Sequence, residues 1–189
     1  MLIEEDINKA VEVLRLGGII LYPTDTIWGI GCDATNNKAV QKVLKVKNRV
    51  KELGFIILLE KDNRLNEYVE EIPEITWDLI KSFDTPTTII YSKAKHLAKN
   101  VLAEDGSVAI RVVKDEFCRR LIGRLGKPIV STSANFSGDP SPMMFKDITS
   151  ELKKKVDYVV ASNQNKLTKI KASTIIRLKP NGEFDVVRQ

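Results

Sequence analysis

Residues 17–34 read GGIILYPTDTIWGIGCDA, and the fold class turns on how this stretch is read. Its two glycines stop a preceding segment, residues 3–16, in which Ile3, Ile7, Ala10, Val11 and Leu14 recur at helical spacing with Asp6 near the start. Ile19-Ile20-Leu21-Tyr22 is then a short apolar run of the buried-strand type. Pro23 ends it, because proline has no N–H to give to a ladder. A polar loop, Thr24-Asp25-Thr26, follows.

Outward from there, helices and strands interleave. The spacing predicts an amphipathic helix over 37–47, a strand over 55–59, two weaker helices over 62–69 and 74–82, and strands over 87–91 and 107–112. A helix over 115–125 presents Phe117, Cys118, Leu121 and Ile122 to one side, and Ile129-Val130 reads as a brief strand. Residues 131–142, dense in Ser, Gly, Pro and Asn, read as a turn region. A helix over 145–154 and strands over 156–161, 173–178 and 184–188 complete the chain. The pattern is that of one α/β domain over 1–189 with a mixed sheet, without repeats or an internal linker.

At 189 residues the chain is long enough to bury roughly 70% of the surface its unfolded form exposes, so no disulfide staple is needed. Cys32 and Cys118 fall in no metal-binding or redox spacing, and no apolar run nears the ~18 residues of a membrane span. A cytoplasmic protein is expected. The net charge of +5 suits a lysine-rich surface as well as a polyanion partner, and Lys153-Lys154-Lys155 suits the C-terminal end of a helix dipole.

Three polar pairs repeat at i, i+2: Thr24/Thr26, Lys47/Arg49 and Ser131/Ser133, the last with Asn135 two residues on. In extended chain such pairs project from one face. All three are placed just outside regular elements, two of them directly after strands, where open α/β sheets bind ligands. Hydroxyls, an amide, an ammonium and a guanidinium together form a receptor for an anion bearing phosphate and carboxylate. Taken singly, each pair is equally explained as turn, cap or helix-end chemistry. No GxxxxGK[ST] loop occurs, and His96, the only histidine, sits in a surface-like SKAKHLAKN segment, so covalent catalysis through a Ser-His or Cys-His pair has little to build on. Catalysis would rest on positioning and charge.

YPTDTIWGIGCDA at 22–34, Lys47-x-Arg49, VAIR at 108–111, STSANFSGDPSP at 131–142 and STII at 173–176 together resemble the motifs of the YrdC-type threonylcarbamoyl-AMP synthases. The resemblance implies a twisted, mainly mixed sheet with flanking helices around a basic cavity. It also implies a nucleotidyltransferase that makes threonylcarbamoyl-AMP from ATP with Mg2+, L-threonine and bicarbonate, and hands the product to a tRNA-modifying partner enzyme. By the same resemblance Thr26, Ser131 and Ser173 contact threonine, and Arg49, Thr88, Ser133, Asn135, Ser141 and Arg188 contact ATP. Lys47 and Arg49 are the catalytic cations, offsetting charge as a carbamate oxygen attacks the α-phosphate.

The chain departs from the family pattern in two places. Val50 to Leu58 puts Leu53 and Leu58 where polar contacts are expected, and an apolar side chain cannot replace a hydrogen bond to a carboxylate or hydroxyl. Asp84-Thr85-Pro86-Thr87-Thr88 stands in place of a Pro-Gly-Pro-x-Thr element, keeping only its second proline and its threonine. Two other readings stand beside the synthase: a module binding tRNA or double-stranded RNA through phosphate contacts, and a paralogue activating a different amine or carbamoyl donor.

Overall fold

The structure is a computed structural model that describes residues 3–48, 54–165, 172–179 and 181–188. Among these the chain runs α1 (Ile3–Arg15), β1 (Ile20–Tyr22), β2 (Gly29–Gly31), α2 (Asn37–Lys47), β3 (Ile56–Leu59), α3 (Leu65–Tyr68) and α4 (Ile75–Ser82). It continues through β4 (Thr87–Tyr91), β5 (Val108–Val112), α5 (Glu116–Leu125), β6 (Ile129–Ser133), α6 (Ser150–Lys154), β7 (Tyr158–Val159), β8 (Thr174–Leu178) and β9 (Phe184–Arg188).

The strands form one mixed sheet in the order β7-β1-β2-β6-β3-β5-β4-β8-β9. β1 with β7, β3 with β5 and β4 with β8 are parallel, and the other neighbours are antiparallel. Alternation of side chains divides the core into two layers. On one face Ile57, Leu59, Ile89 and Ile110 pack with Val40 and Val43 of α2 and Leu79 of α4. On the other, Tyr22, Leu58 and Ile129 pack with Ile7 and Leu14 of α1 and Leu121 of α5. The helices α1 and α5 cover only one part of this second face. Ile56, Arg111 and Ser131, which share it by register, line a cavity beyond them.

Most sequence expectations coincide with these elements, and the differences have local causes. Ser131 and Ser133 are in β6 rather than in a loop, because Ser131 pairs with Ile56 while Thr132 and Ser133 pair with Ile30 and Gly29. Gly29–Gly31 is a strand that composition conceals. A Cβ at Gly31 would stand 2.6 Å from the Val130 carbonyl and 2.7 Å from the Tyr22 ring, so only glycine lets these strands approach. Lys47 is the last residue of α2, followed by Asn48 in the left-handed region (φ 50°), and so lies inside a helix. The helix expected over 145–154 is a 3-10 turn at Phe145–Asp147 followed by α6, whose N-terminus is capped by Thr149 Oγ1 accepting from the Leu152 N–H. Asp6, in the first turn of α1, is buried and accepts from Tyr158 Oη and the Ala161 and Ser162 N–H groups, tying α1 to the chain after β7.

Candidate functional site

The loop after β1 splits its two threonines between two tasks. Thr24 Oγ1 donates to the Ile27 carbonyl at 2.7 Å and accepts from the Thr26 N–H at 3.1 Å, so Thr24 builds the turn. Thr26, buried, turns its side chain to the cavity, its Oγ1 lying 3.0 Å from Thr24 Oγ1. β6 brings Ser131 and Ser133 to the same wall from one face of a strand, and Ser141 reaches it from the following loop.

The opposite wall comes from the end of the chain. Ser173, just before β8, shares a 2.8 Å hydroxyl contact with the fully buried Thr88 of β4. Arg188 of β9 donates to the Ser173 carbonyl through Nη2 at 2.8 Å and Nε at 3.2 Å. That leaves the Arg188 charge beside the cavity, where burial first and the Arg111 cation second hold its pKa below the ordinary arginine value.

Arg111 is the residue the site assignment from sequence missed. It stands in the middle of β5, is 3% exposed, and lines the cavity, while its Nη2 lies 3.0 Å from Asp25 Oδ1. The contact is close but poorly directed: neither Asp25 Oδ1 nor Arg111 Nε has a hydrogen-bond partner among the described protein atoms. Burial pushes the Asp25 carboxyl above its ordinary pKa, the Arg111 cation opposes that, and Asp115 adds to it. The signal was a lone charge inside the alternating apolar strand 107–112, a placement that demands a partner.

Lys47 and Asn135 lie beneath this wall rather than on it. Lys47 is 3% exposed, and its Nζ donates to the carbonyls of Ser133 (2.7 Å) and Asn135 (2.5 Å) and to Asn135 Oδ1 (3.2 Å). Asn135 Nδ2 donates to the carbonyls of Phe136 and Asp139, closing the 133–139 turn. Together they fix the end of β6 that carries Ser133. Arg49 and Leu53 lie outside the described residues. Leu58, set by the resemblance at a substrate-contacting position, is fully buried in the layer under α1 and α5.

The cavity holds about 140 Å³. Its donors are hydroxyls and guanidinium groups, and among the described residues no group of three or more His, Cys, Asp or Glu side chains is placed to hold a metal ion. No helix there is long and apolar enough to cross a membrane. His96 is exposed, with Nδ1 2.8 Å from the Glu67 carbonyl oxygen. The lysine run ends α6, with Lys153 over the Phe145 ring and Lys155 over the Phe136 ring.

Comparison with known proteins matches this geometry to a family. The family model Sua5/yciO/yrdC, described as telomere recombination, matches residues 12–189. The chain is 32% identical over 160 residues to the threonylcarbamoyl-AMP synthase of Pseudoalteromonas translucida, covering 83% of this chain and 86% of that one. It is 33% identical over 165 residues to that of Riesia pediculicola, covering 85% and 86%. Among solved structures, P. abyssi Sua5 complexed with L-threonine superposes with a TM-score of 0.82 at 29% identity, over 91% of this chain and 50% of that one. E. coli YciO does so with a TM-score of 0.83 at 26% identity, over 97% and 88%. The chain thus spans about half the length of P. abyssi Sua5. With the motif blocks, the mixed sheet and these matches in agreement, the chain belongs to the Sua5/YciO/YrdC family.

Proposed function

We propose that this protein is a nucleotidyltransferase that makes threonylcarbamoyl-AMP from L-threonine, bicarbonate and ATP, releasing pyrophosphate, in the cytoplasm and in the service of tRNA modification. The observation that carries the reading is the meeting, in one cavity, of the hydroxyls of Thr26, Ser131, Ser133 and Ser173 with the guanidinium groups of Arg111 and Arg188. Curated relatives that the chain matches, from Pseudoalteromonas translucida, Riesia pediculicola, Xanthomonas axonopodis and Vibrio cholerae, carry the name threonylcarbamoyl-AMP synthase.

Arg111 offers a buried, always-charged fork for the amino-acid carboxylate, and the hydroxyls of Thr26 and Ser131 are placed to read its side chain. A cavity of about 140 Å³ suits the amino acid, well under the roughly 300–1,000 Å³ of a drug-sized ligand site. The nucleotide therefore extends outward past Ser133, Ser141 and Arg188, with Arg49 as a further cation from its motif. Lys47 and Asn135 act on it by holding Ser133 in place.

The chemistry follows from this arrangement. The threonine amine adds to bicarbonate, water leaves, and the resulting carbamate oxygen attacks the α-phosphorus in line as pyrophosphate departs. Negative charge grows on the phosphate oxygens, and preorganised cations and hydroxyls offset it. Magnesium arrives on the nucleotide as part of the substrate and neutralises the departing pyrophosphate. Walls that exclude water protect the labile carbamate and mixed anhydride until a tRNA-modifying partner takes the product.

Pyrophosphate release tests the reading. With ATP and bicarbonate, release is expected to need threonine and to fall when serine replaces it or no amino acid is added. Equal release in the three reactions would refute threonine activation, and serine outpacing threonine would favour a paralogue acting on another amine.

A further inference from the structure

Across β6, β3 and β5 the cavity wall is polar on the outer strands and apolar on the one between them. β6 presents Ser131, β5 presents Arg111, and β3, which pairs with both, presents Ile56. Register fixes the spacing. Ile56 is the direct antiparallel partner of Ser131, which sets their Cβ atoms about 5 Å apart. Arg111 lies opposite Leu58, two residues along β3, and so diagonal to Ile56. Leu58 points to the same face but is fully buried in the layer under α1 and α5, whereas Ile56 is half-buried and lines the hollow. Of the β3 side chains, Ile56 alone reaches the cavity.

An amino acid whose carboxylate meets Arg111 and whose hydroxyl meets Ser131 has to lie across β3, because neighbouring strands are about 4.8 Å apart and β3 separates the two groups. Its Cβ then stands over Ile56. With the hydroxyl of threonine turned to Ser131 and Thr26, the methyl turns to the branched side chain of Ile56. Ile27, the other isoleucine of the lining, belongs to the loop that carries Thr26, on the side of the hydroxyl. Serine leaves the methyl contact unmade. The allo isomer, with methyl and hydroxyl exchanged on Cβ, brings a hydroxyl to an apolar wall and a methyl to the Ser131 hydroxyl, so polar groups on both sides lose partners.

We propose that Ile56 is the residue that selects threonine, seating its β-methyl and so reading both the presence and the configuration of that substituent. The inference rests on the amino-acid site given in the proposed function. One carbon more or less in an apolar pocket changes selectivity by about 10–200-fold. With a half-buried side chain as the wall, the low end applies, about tenfold for threonine over serine.

Calorimetric titration of L-threonine, L-serine and L-allo-threonine into the full chain tests the assignment, with α,β-methylene-ATP filling the nucleotide site without turnover. Each result is a ratio of affinities on one sample, so stability lost in a variant drops out. The parent should bind threonine about tenfold more tightly than serine, and the allo isomer no better than serine. Ile56→Ala should bring the threonine-to-serine ratio to within about threefold of unity, and Ile56→Val should keep most of it. Ile56→Thr, which retains the branched shape and puts a hydroxyl in the wall, should raise the allo isomer relative to threonine by about tenfold. Ile27→Ala should leave the threonine-to-serine ratio as it is in the parent. A parent that binds the two equally, a ratio unchanged in Ile56→Ala, or a ratio that falls in Ile27→Ala instead overturns the proposal. Pyrophosphate release, with ATP in place of the analogue, separates the two readings. Threonine-dependent release with a ratio indifferent to Ile56 sinks this inference alone, Ile56-dependent selectivity without release sinks the proposed function alone, and absence of amino-acid binding sinks both.

Discussion

Arg111→Met and Asp25→Asn, made singly and together, separate what the buried ion pair does for folding from what it does for catalysis. The two side chains are 4% and 12% exposed and 3.0 Å apart, so both have given up most of their hydration. Neither Arg111 Nε nor Asp25 Oδ1 recovers a well-directed hydrogen bond. A pair in this state contributes little net stability, whereas removing one partner strands the other charge, at about 3–5 kcal/mol. Each single variant is therefore expected to lose that much in urea unfolding, or roughly 2–4 °C of Tm per kcal/mol for a chain of this size. The double variant should return to within about 1 kcal/mol of the parent, because both unmet charges are gone. Activity should not return with it. Loss of one charged hydrogen bond to the substrate carboxylate lowers threonine-dependent kcat/KM by about 10–150-fold, and Arg111→Met and the double variant should share that loss. A double variant as unstable as the sum of the singles, or one that regains threonine-dependent turnover, would refute the reasoning.

Other substitutions reach the scaffold of the site. Lys47→Met strips a buried ammonium from the carbonyls of Ser133 and Asn135 and should cost about 3 kcal/mol or more, with hydrogen exchange rising over 133–139. Gly31→Ala drives a methyl into the Val130 carbonyl and the Tyr22 ring, and about 1–3 kcal/mol of stability should be lost in denaturant unfolding. Asp6 carries the pH signature: burial presses its pKa up, but donors from Ser162, Tyr158 and Ala161 outweigh that and leave it below the ordinary 3.8. Its contribution is then fully present above the unfolded value and lost as pH falls through the lower folded value. The Tm gap between parent and Asp6→Asn should accordingly be wide at pH 6 and close below pH 4.

The sequence and the structure agree most closely where local chemistry decides the outcome. α2 occupies the predicted 37–47, with Asn36 capping its first turn and Asn48 ending it. β4 spans the predicted 87–91, its alternation facing Ile89 and Tyr91 to one layer and Thr88 to the other. What local chemistry does not encode is pairing with distant chain. Ser131-Thr132-Ser133 has the composition of a loop and becomes a strand because β2 and β3 lie on either side. Gly29-Ile30-Gly31 has poor strand propensity and becomes one because its glycines admit close neighbours. The site divides in the same way. Thr26, Ser131, Ser133, Ser141, Ser173 and Arg188 line the cavity as their motifs led one to expect. Asn135 and Lys47 are drawn into the turn that supports Ser133, a task that motif position does not distinguish from ligand contact.

The most direct measurement is of the product. Purified protein incubated with ATP, threonine and carbon-labelled bicarbonate, then separated by chromatography without acid quench, should yield one species carrying adenine, threonine and the labelled carbon in equal amounts. AMP appearing without that species, or an adenylate lacking either the threonine or the label, would contradict the assignment of the cavity to threonylcarbamoyl transfer.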